Sequence, residues 1–280
     1  MISTNRGLTQ KSVQIIVVLI LAVITIGPIF WGASTSFKKP NEIIDLPPRI
    51  IGSAVTLEHY QKLIQSQIQL YFRNSMLYSV CAVILALMVG SLAAYIFSRF
   101  QFSLKKPLFF LVVAGIPMAI ARASVLIPTY VYLSKLQLVD RWFTLIILYT
   151  AYNLPMAIWI LIGSFETIPR QLDEAAMIDG SSRMYILFRI ILPLARPGLA
   201  AAGLFIFLGA WNDFIVASMM ISSTSLKSIQ LAIYHYLGFW GREWGPLTAS
   251  SIVAIVPILV LFAFLQKNFI AGLTRGSVKG

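Results

Sequence analysis

Residues 13–31 read VQIIVVLILAVITIGPIFW, an apolar run without a single charge. A membrane-spanning helix needs ~20 mostly apolar residues to cross ~30 Å of hydrocarbon, and this run has that length. Arg6 and Lys11 precede it, as basic residues precede a signal peptide core. However, the run is longer than such a core, and Gly27–Trp31 is not a small-residue cleavage site. The stretch therefore predicts a retained membrane span.

The composition of the whole chain agrees with this interpretation. Of 280 residues, 58% are hydrophobic and only 11% are charged, against about 25% charged residues in a soluble domain. A soluble core of this size could not hide so much apolar surface, whereas lipid is itself an apolar solvent. The net charge of +12 is spread between the apolar runs, which fits loops beside a membrane better than a nucleic-acid-binding arm.

Five further runs have the length and apolar character of a span. We predict an all-α polytopic membrane protein with about six transmembrane helices, formed as one domain over residues 1–280. The predicted spans are 13–31, 76–97, 108–131, 142–163, 198–221 and 248–265.

Basic residues predict the orientation of the chain. With the N-terminus inside, the inner segments hold 12 of the 22 Lys and Arg residues and the outer segments hold 9, diluted over a long first loop. Cytoplasmic loops carry the excess of Lys and Arg, so both termini are predicted to be cytoplasmic. The outer loops then cover about residues 32–75 and 222–247, with a surface helix expected near 58–69. The longest inner connection covers about residues 164–197.

That inner connection contains the sequence IPRQLDEAAMIDG at residues 168–180. Pro169 suits the first turn of a helix, and Gly180 suits its C-terminal cap. Leu172, Ala175, Ala176 and Asp179 share one helical face by their spacing, and small residues on a face allow another surface to approach closely. The pattern predicts a docking element on the cytoplasmic surface, and an ordinary amphipathic loop helix is the alternative.

A second short helix is expected directly afterwards. Ser181 or Ser182 can cap a helix over about residues 183–191, which would stop before Pro193 and Pro197. The two helices together predict a helical hairpin-like element.

Three groups of residues in this segment resemble the EAA loop of binding-protein-dependent ABC importer permeases. They are Glu174-Ala175-Ala176, Asp179-Gly180 and the later LPLARPG at residues 192–198. The match covers about 25 residues, and it lies between the fourth and fifth predicted spans, where that family keeps it.

Other stretches resemble the branch of the family that takes up sugars and glycerol phosphates, as its second permease subunit. These are TSFK at residues 35–38, FRNS at 72–75, WNDF at 211–214 and the tail GLTRGSVKG at 272–280. The resemblance covers nearly the whole chain.

The resemblance implies a type I ABC importer permease fold and a division of labour in the cell membrane. A separate substrate-binding protein would deliver a sugar or polyol-like solute, this chain and a related permease would form the pathway, and two ATPase subunits would lie underneath. The ATPase-coupling residues implied are Glu174, Ala175, Ala176, Asp179 and Gly180. The tail residues Thr274, Lys279 and Gly280 are further candidates for an ATPase contact.

No G-x-x-x-x-G-K-[ST] motif, which would cradle phosphates, occurs in the sequence. ATP and Mg²⁺ are therefore expected on the partner ATPases, with no cofactor and no enzymatic activity on this chain. His59 and His235 are isolated from each other and from Cys81, so no metal site is expected either.

Two charged residues fall inside predicted spans, Arg122 in the third and Asp213 in the fifth. An ionised side chain at the bilayer centre costs at least ~2.5–3.5 kcal/mol, so it usually faces a partner or a wet cavity. Both residues lie ~21–23 Å from the inner edge at 1.5 Å rise per residue. The hypothesis is that they form an ion pair or line one cavity, and the alternative is that Arg122 extends towards the interface.

The polar residues Tyr152, Asn153 and Asn212 also lie in predicted spans. Amides and aromatic faces suit sugars, but the same residues can hold helices together in lipid, and both interpretations stay open. The outer stretch 239–246 contains two tryptophans that suit either a binding-protein contact or an anchor at the membrane interface.

A secondary transporter is the main alternative function. Such proteins usually contain inverted repeats, and no convincing repeat is found here. An intramembrane protease is disfavoured because H-E-x-x-H and G-x-S-x-G are both missing from the sequence. A receptor or scaffold remains open. Dependence of transport on a separate ATPase distinguishes an ABC permease from all of these.

Overall fold

The computed structural model describes residues 3–120, 122–238 and 243–277, and within these ranges the chain is helical without a strand. Short 3₁₀ turns occur at Pro40–Glu42 and Thr224–Leu226, and a π-helical turn occurs at Leu187–Ile191. The α-helices are α1 Ser3–Ser36, α2 Glu58–Gln65, α3 Ile68–Arg99, α4 Lys105–Ile120, α5 Arg122–Lys135, α6 Trp142–Glu166, α7 Gln171–Ile178, α8 Arg183–Ile186, α9 Leu192–Leu194, α10 Arg196–Trp211, α11 Ile215–Met220, α12 Ile229–His235 and α13 Trp244–Ser277.

Four of the helices are long and apolar enough to cross a membrane, or five spans in all if one bent helix pair counts as a single span. They coincide with the first, second, fourth and sixth predicted spans, since α1, α3, α6 and α13 contain those ranges. The bent pair consists of Arg183–Leu194 and Arg196–Trp211, with 81° between the two segments. Pro193 and Pro197 lie on either side of the bend, and Pro197 is in the first turn of α10, where a missing N–H costs least.

The third predicted span, 108–131, lies on two helical segments on either side of residue 121. They are α4 with 16 residues and α5 with 14, and residue 121 between them lies outside the described residues. Each contains an internal proline, Pro117 or Pro128, which removes a donor from the helical ladder. The prediction of one span over residues 108–131 therefore stays a prediction.

The fifth predicted span, 198–221, is not one continuous helix. α10 ends at Trp211 and α11 begins at Ile215. The side chain of Asp213 accepts hydrogen bonds from the backbone N–H groups of Val216 (3.0 Å) and Ala217 (3.1 Å). A carboxylate that satisfies the free N–H groups of a first turn starts a new helix, so the predicted span is interrupted at this residue.

The described residues form two compact units. One includes residues of Met1–Ile68 and Ile233–Ile255, and the other includes residues of Gln69–Ala232 and Val256–Gly280. The prediction of one permease domain over residues 1–280 stays a prediction.

In the first unit, the loop after α1 folds back on the end of that helix. The buried Lys38 donates from Nζ to the carbonyl of Arg49 (2.6 Å) and lies 4.4 Å from the ring centroid of Trp31. The ring of His59 lies 2.9 Å from the carbonyl oxygen of Lys38. His59 belongs to α2, so a helix is confirmed at the start of the stretch 58–69, but it ends at Gln65, and α3 begins at Ile68.

In the second unit, α6 packs against both α4 and α10. The approach of α6 and α10 is so close that a Cβ at Gly198 would clash with the side chain of Ser164. Small residues allow such contacts between helices that gain no hydrophobic energy from leaving lipid. At the end of this bundle, a buried apolar cluster packs against α7 and includes the end of α8. Its largest members are Phe165, Ile186, Leu187 and Ile191.

Candidate functional site

The short helix α7, Gln171–Ile178, forms the centre of the candidate site. It begins two residues after Pro169, slightly later than the sequence predicted. Asp173 and Glu174 lie in its first turn, where carboxylates favour the positive end of the helix dipole.

Gly180 ends α7 in the way that the sequence predicts. Its φ of 80° lies in the left-handed region that disfavours a side chain. Gly180 donates its N–H to the carbonyl of Met177 (3.0 Å), and Ser181 donates its N–H to that of Ala176 (2.9 Å). These two bonds form a Schellman motif, which satisfies the last carbonyls of the helix.

The inner face of α7 is fixed to the end of α3 by an ion pair. Nε of Arg99 lies 2.6 Å from Oδ2 of Asp173, and both side chains are at most 5% exposed. Arg99 also donates to the carbonyl of Ile168 (3.0 Å), while Arg170 donates to the carbonyl of Ser98 (2.9 Å). Arg99 at the end of α3 thus binds the backbone just before α7, and Arg170 just before α7 binds the backbone of α3.

A buried ion pair constrains geometry strongly. If one partner is removed, the other charge remains buried without compensation, at a cost of about 3–5 kcal/mol. Neither Arg99 nor Asp173 stands out in the sequence as a structural contact. A basic residue at the end of a span reads as an ordinary cytoplasmic anchor, and only the fold places it against Asp173.

The opposite face of α7 is exposed. Leu172, Glu174, Ala175 and Asp179 are accessible, and the side chain of Ile178 is 87% exposed. Large apolar side chains exposed beside acidic ones are typical of a surface that contacts another protein.

The predicted face of Leu172, Ala175, Ala176 and Asp179 needs one correction. Ala176 is buried against the apolar cluster that includes Phe165 and Ile168, so it packs inside this chain and cannot touch a partner. The helix turns Ala176 inward because it lies three residues after the buried Asp173. Of the residues predicted to couple to an ATPase, the accessible ones are therefore Glu174, Ala175, Asp179 and Gly180.

The second short helix continues the same surface. Ser182 accepts a hydrogen bond from the N–H of Tyr185 (3.2 Å), so the predicted cap is confirmed for Ser182. The helix is α-helical only over Arg183–Ile186 and then widens into the π-helical turn. Pro193 has no N–H for the carbonyl of Arg189, so the α-helical ladder cannot continue unchanged through this turn. The exposed apolar side chains here are Met184, Tyr185 and Phe188.

A second polar cluster lies between α6 and the break after α10. The hydroxyl of Tyr149 donates to Oδ1 of Asp213 (3.2 Å), and both residues are buried. Asn153 donates its amide to the carbonyl of Tyr149 (2.7 Å), one turn earlier on the same helix. Tyr152 is half-buried and Asn212 is exposed at the helix break.

Several predicted residues are outside these contacts. The side chain of Arg122 lies outside the described residues, so its pairing with Asp213 stays a prediction. Thr274 falls within α13, but its side chain is outside the described residues, and so are Lys279 and Gly280. Residues 239–242, which include Trp240, are outside the described residues as well. The second tryptophan of the stretch 239–246, Trp244, is the first residue of α13.

Comparison with known proteins places these features in a family. Residues 86–275 match the family described as binding-protein-dependent transport system inner membrane component. The chain is 34% identical to an inner membrane ABC transporter permease protein of Escherichia coli, over 92% of each chain. It is 31% identical to the sulfoquinovosyl glycerol transport system permease protein of Agrobacterium fabrum, over 100% of this chain and 99% of that protein.

A third relative is the trehalose/maltose transport system permease protein of Thermococcus litoralis. Its identity is 31%, over 97% of this chain and 98% of that protein. Among solved structures, a chain of a bacterial ABC transporter that imports alginate superposes with a TM-score of 0.81, over 96% of this chain and 99% of that one. With 19% identity, this likeness establishes the fold alone: the type I fold of ABC importer permeases.

Proposed function

Because the chain belongs to the family of inner membrane components of binding-protein-dependent transport systems, we propose that it is a permease subunit of an ABC importer that moves a sugar or polyol-like solute inward. The identity to the trehalose/maltose permease and to the sulfoquinovosyl glycerol permease supports a carbohydrate-like substrate.

The exposed face of α7 is the observation that carries the coupling role. A helix with a solvent-exposed isoleucine at Ile178 is held rigidly from behind by Arg99 and Asp173. A rigidly mounted, accessible helix can transmit a displacement, whereas a loosely tethered one would absorb it. Glu174, Ala175, Asp179 and Gly180 contact an ATPase subunit through this face.

The complete transporter contains further chains. A second, related permease completes the pathway, two ATPases bind ATP and Mg²⁺, and a substrate-binding protein delivers the solute from outside. The alginate transporter that is solved with an alginate-bound periplasmic protein supports a binding-protein partner. The chain lies in the inner membrane with both termini in the cytoplasm, and the tail around Thr274, Lys279 and Gly280 contributes to the ATPase contact.

The pathway is lined by polar residues at mid-membrane depth: Arg122, Tyr152, Asn153, Asn212 and Asp213. The interrupted helix at Asp213 supports this assignment, because broken helices in membranes need neighbouring protein or a water-filled cavity around their free backbone groups.

ATP-driven uptake into vesicles that contain the complete transporter tests this function. We compare wild type with Glu174→Ala and Gly180→Pro, and measure co-purification of the ATPase in parallel. Proline requires φ near −65°, so it cannot adopt the conformation of Gly180, and α7 should lose its end. Lost uptake in the variants supports the coupling role. Full uptake in both variants, or uptake without any ATPase, would contradict it and favour a secondary transporter.

A further inference from the structure

The outer end of α3 holds a backbone segment that is distant in sequence. Asn74 donates from Nδ2 to the carbonyls of Ser225 (2.8 Å) and Lys227 (3.1 Å). Tyr78 donates its hydroxyl to the carbonyl of Leu226 (3.0 Å).

A third residue of α3 completes this contact. Ser75 accepts from the N–H of Ile229 at 2.8 Å. All three side chains of α3, those of Asn74, Ser75 and Tyr78, are buried. Their four hydrogen bonds go to backbone groups, so they fix the position of the segment whatever side chains it carries.

The same segment is held from a second element. Asp140, before α6, accepts from the N–H groups of Ser222 (3.0 Å) and Ser223 (2.9 Å) and from the hydroxyl of Ser223. These bonds hold the pKa of the Asp140 carboxyl below its usual value, the hydroxyl of Ser223 contributing most. We call residues 222–229 the outer ledge. Its side chains Ser222, Thr224 and Ser225 are exposed and polar, as on a surface that faces water.

The other end of α3 carries Arg99, which holds α7 through Asp173. Asn74 and Arg99 are 25 residues apart on one helix, which corresponds to ~38 Å at 1.5 Å per residue, more than the ~30 Å of the hydrocarbon core. α3 therefore reaches from the ledge on one side of the membrane to α7, which we call the docking helix, on the other.

α3 is also suited to transmit a displacement. Of the four long spanning helices among the described residues, α1, α6 and α13 contain an internal proline and α3 does not. Sharp kinks in helices arise mostly at proline, so α3 lacks the usual point at which a movement would be absorbed.

We infer that α3 is the rigid link between the two sides of the transporter: Asn74, Ser75 and Tyr78 position the outer ledge, Arg99 positions the docking helix, and the ledge reports the state of the ATPases to the substrate-binding protein. This rests on the proposed function. The three residues at the outer end are positioning residues, since their hydrogen bonds go to backbone groups of the ledge.

The experiment measures ATP hydrolysis of the complete reconstituted transporter, with and without its substrate-loaded binding protein. Ser75→Ala removes the acceptor of the Ile229 N–H, and Tyr78→Phe removes the donor to Leu226. A matched control is Ser79→Ala, on the same helix, because the buried hydroxyl of Ser79 has no hydrogen-bond partner among the described residues.

We expect Ser75→Ala and Tyr78→Phe each to lower the stimulation of ATP hydrolysis by the binding protein about tenfold. Each variant leaves one backbone group of the ledge without its hydrogen-bond partner. Basal hydrolysis and ATPase co-purification should stay at the wild-type level, and Ser79→Ala should behave as wild type. A role in folding alone would lower assembly and basal hydrolysis together, and would not remove stimulation selectively.

The link along α3 has its own test in the double variant Ser75→Ala with Asp173→Asn. If both ends act through one helix, the two losses of stimulation should not multiply, because the second break interrupts a link already broken. Independent, multiplying losses would overturn the inference, as would full stimulation in both Ser75→Ala and Tyr78→Phe. Failure of both variants to assemble would make the outer residues a folding element and would also overturn it. By contrast, wild type without ATP-dependent uptake would refute the proposed function itself.

Discussion

The guanidinium of Arg99, the last residue of a spanning helix, lies 2.6 Å from the carboxylate of Asp173 in the first turn of the docking helix. Both groups are buried, and among the described residues each is the ion-pair partner of the other, while Arg99 also donates to the carbonyl of Ile168. The position of the docking helix relative to the membrane bundle therefore depends on this pair.

The first prediction concerns that ion pair. Asp173→Asn keeps the shape of the side chain but leaves the Arg99 charge uncompensated, so we expect a loss of about 3–5 kcal/mol in stability. The melting temperature of the detergent-solubilised transporter measures it. The double variant Arg99→Met with Asp173→Leu should recover most of the loss, because it leaves no buried charge. Unchanged melting in Asp173→Asn would show that the pair is not needed.

The second prediction concerns the end of the docking helix. Gly180 has a φ of 80° with nothing near the place of a Cβ, so Gly180→Ala tests backbone conformation alone. We expect it to cost about 1–2 kcal/mol and to lower ATP-driven uptake. Gly163→Ala is the matched control, since Gly163 lies in α6 with equally open space, and alanine favours a helix. Equal behaviour of the two variants would contradict a special role for the glycine.

The third prediction concerns the exposed face of α7. Ile178→Asp places a charge where an apolar contact with the ATPase is proposed, and central contacts of an interface often contribute at least ~2 kcal/mol. We expect co-purification of the ATPase to fall by about thirtyfold while the permease still folds, because Ile178 contacts little of its own chain. Leu136→Asp is the control, since Leu136 is also exposed but follows α5. A loss of ATPase in both variants would mean that the effect is unspecific.

The fourth prediction concerns Asp213, which accepts from Tyr149, Val216 and Ala217 through one oxygen. Asparagine retains an acceptor oxygen, whereas alanine does not. Asp213→Ala should therefore destabilise the protein by about 0.5–2 kcal/mol more than Asp213→Asn, as for the loss of a helix cap. Thermal unfolding of both variants measures the difference.

Transport by the same variants tests the charge of Asp213 separately. We expect Asp213→Asn, though folded, to transport poorly, because the negative charge is proposed to face Arg122 or the pathway. Normal transport in both Asp213→Asn and Arg122→Gln would exclude a pathway role for this pair.

The fifth prediction is a pH dependence at Asp140. Hydrogen bonds from Ser223 and Ser222 lower its pKa from the ordinary 3.8. The carboxylate therefore stabilises the fold fully above the ordinary pKa, and this stabilisation is lost as the pH falls through the lower, folded value. Asp140→Asn should melt earlier than wild type near pH 7. The two should converge only when the pH falls below the lowered, folded pKa of Asp140, because a protonated aspartate resembles asparagine. A difference in melting temperature between wild type and Asp140→Asn that widens on acidification would contradict the assignment.

The sequence predicted the helices that satisfy one simple rule, an uninterrupted apolar run of sufficient length. α1, α3, α6 and α13 follow this rule, since hydropathy alone decides whether such a segment can lie in lipid. The rule was wrong for the span 198–221, because its apolar character continues from Trp211 to Ile215 while the helical conformation of the backbone does not. There the carboxylate of Asp213 satisfies N–H groups that are free only if the helix stops.

The docking helix shows the same division on a smaller scale. Its end at Gly180 and the cap by Ser182 are local effects of backbone conformation, so spacing along the chain was enough to predict them. The burial of Ala176 was not predictable in this way. Helical periodicity groups residues into faces, but it does not say which face meets the core.

The sequence by itself therefore determined that this chain is an all-helical membrane protein and where α7 ends, since each follows from composition or local spacing, and its motifs carried the resemblance to the importer permeases. Only the tertiary structure decided which residues hold that helix and the outer ledge. Arg99 meets Asp173 across 74 positions of sequence, and Asn74 meets Ser225 across 151. Contacts at such separations depend on how the helices pack, and no local pattern records them.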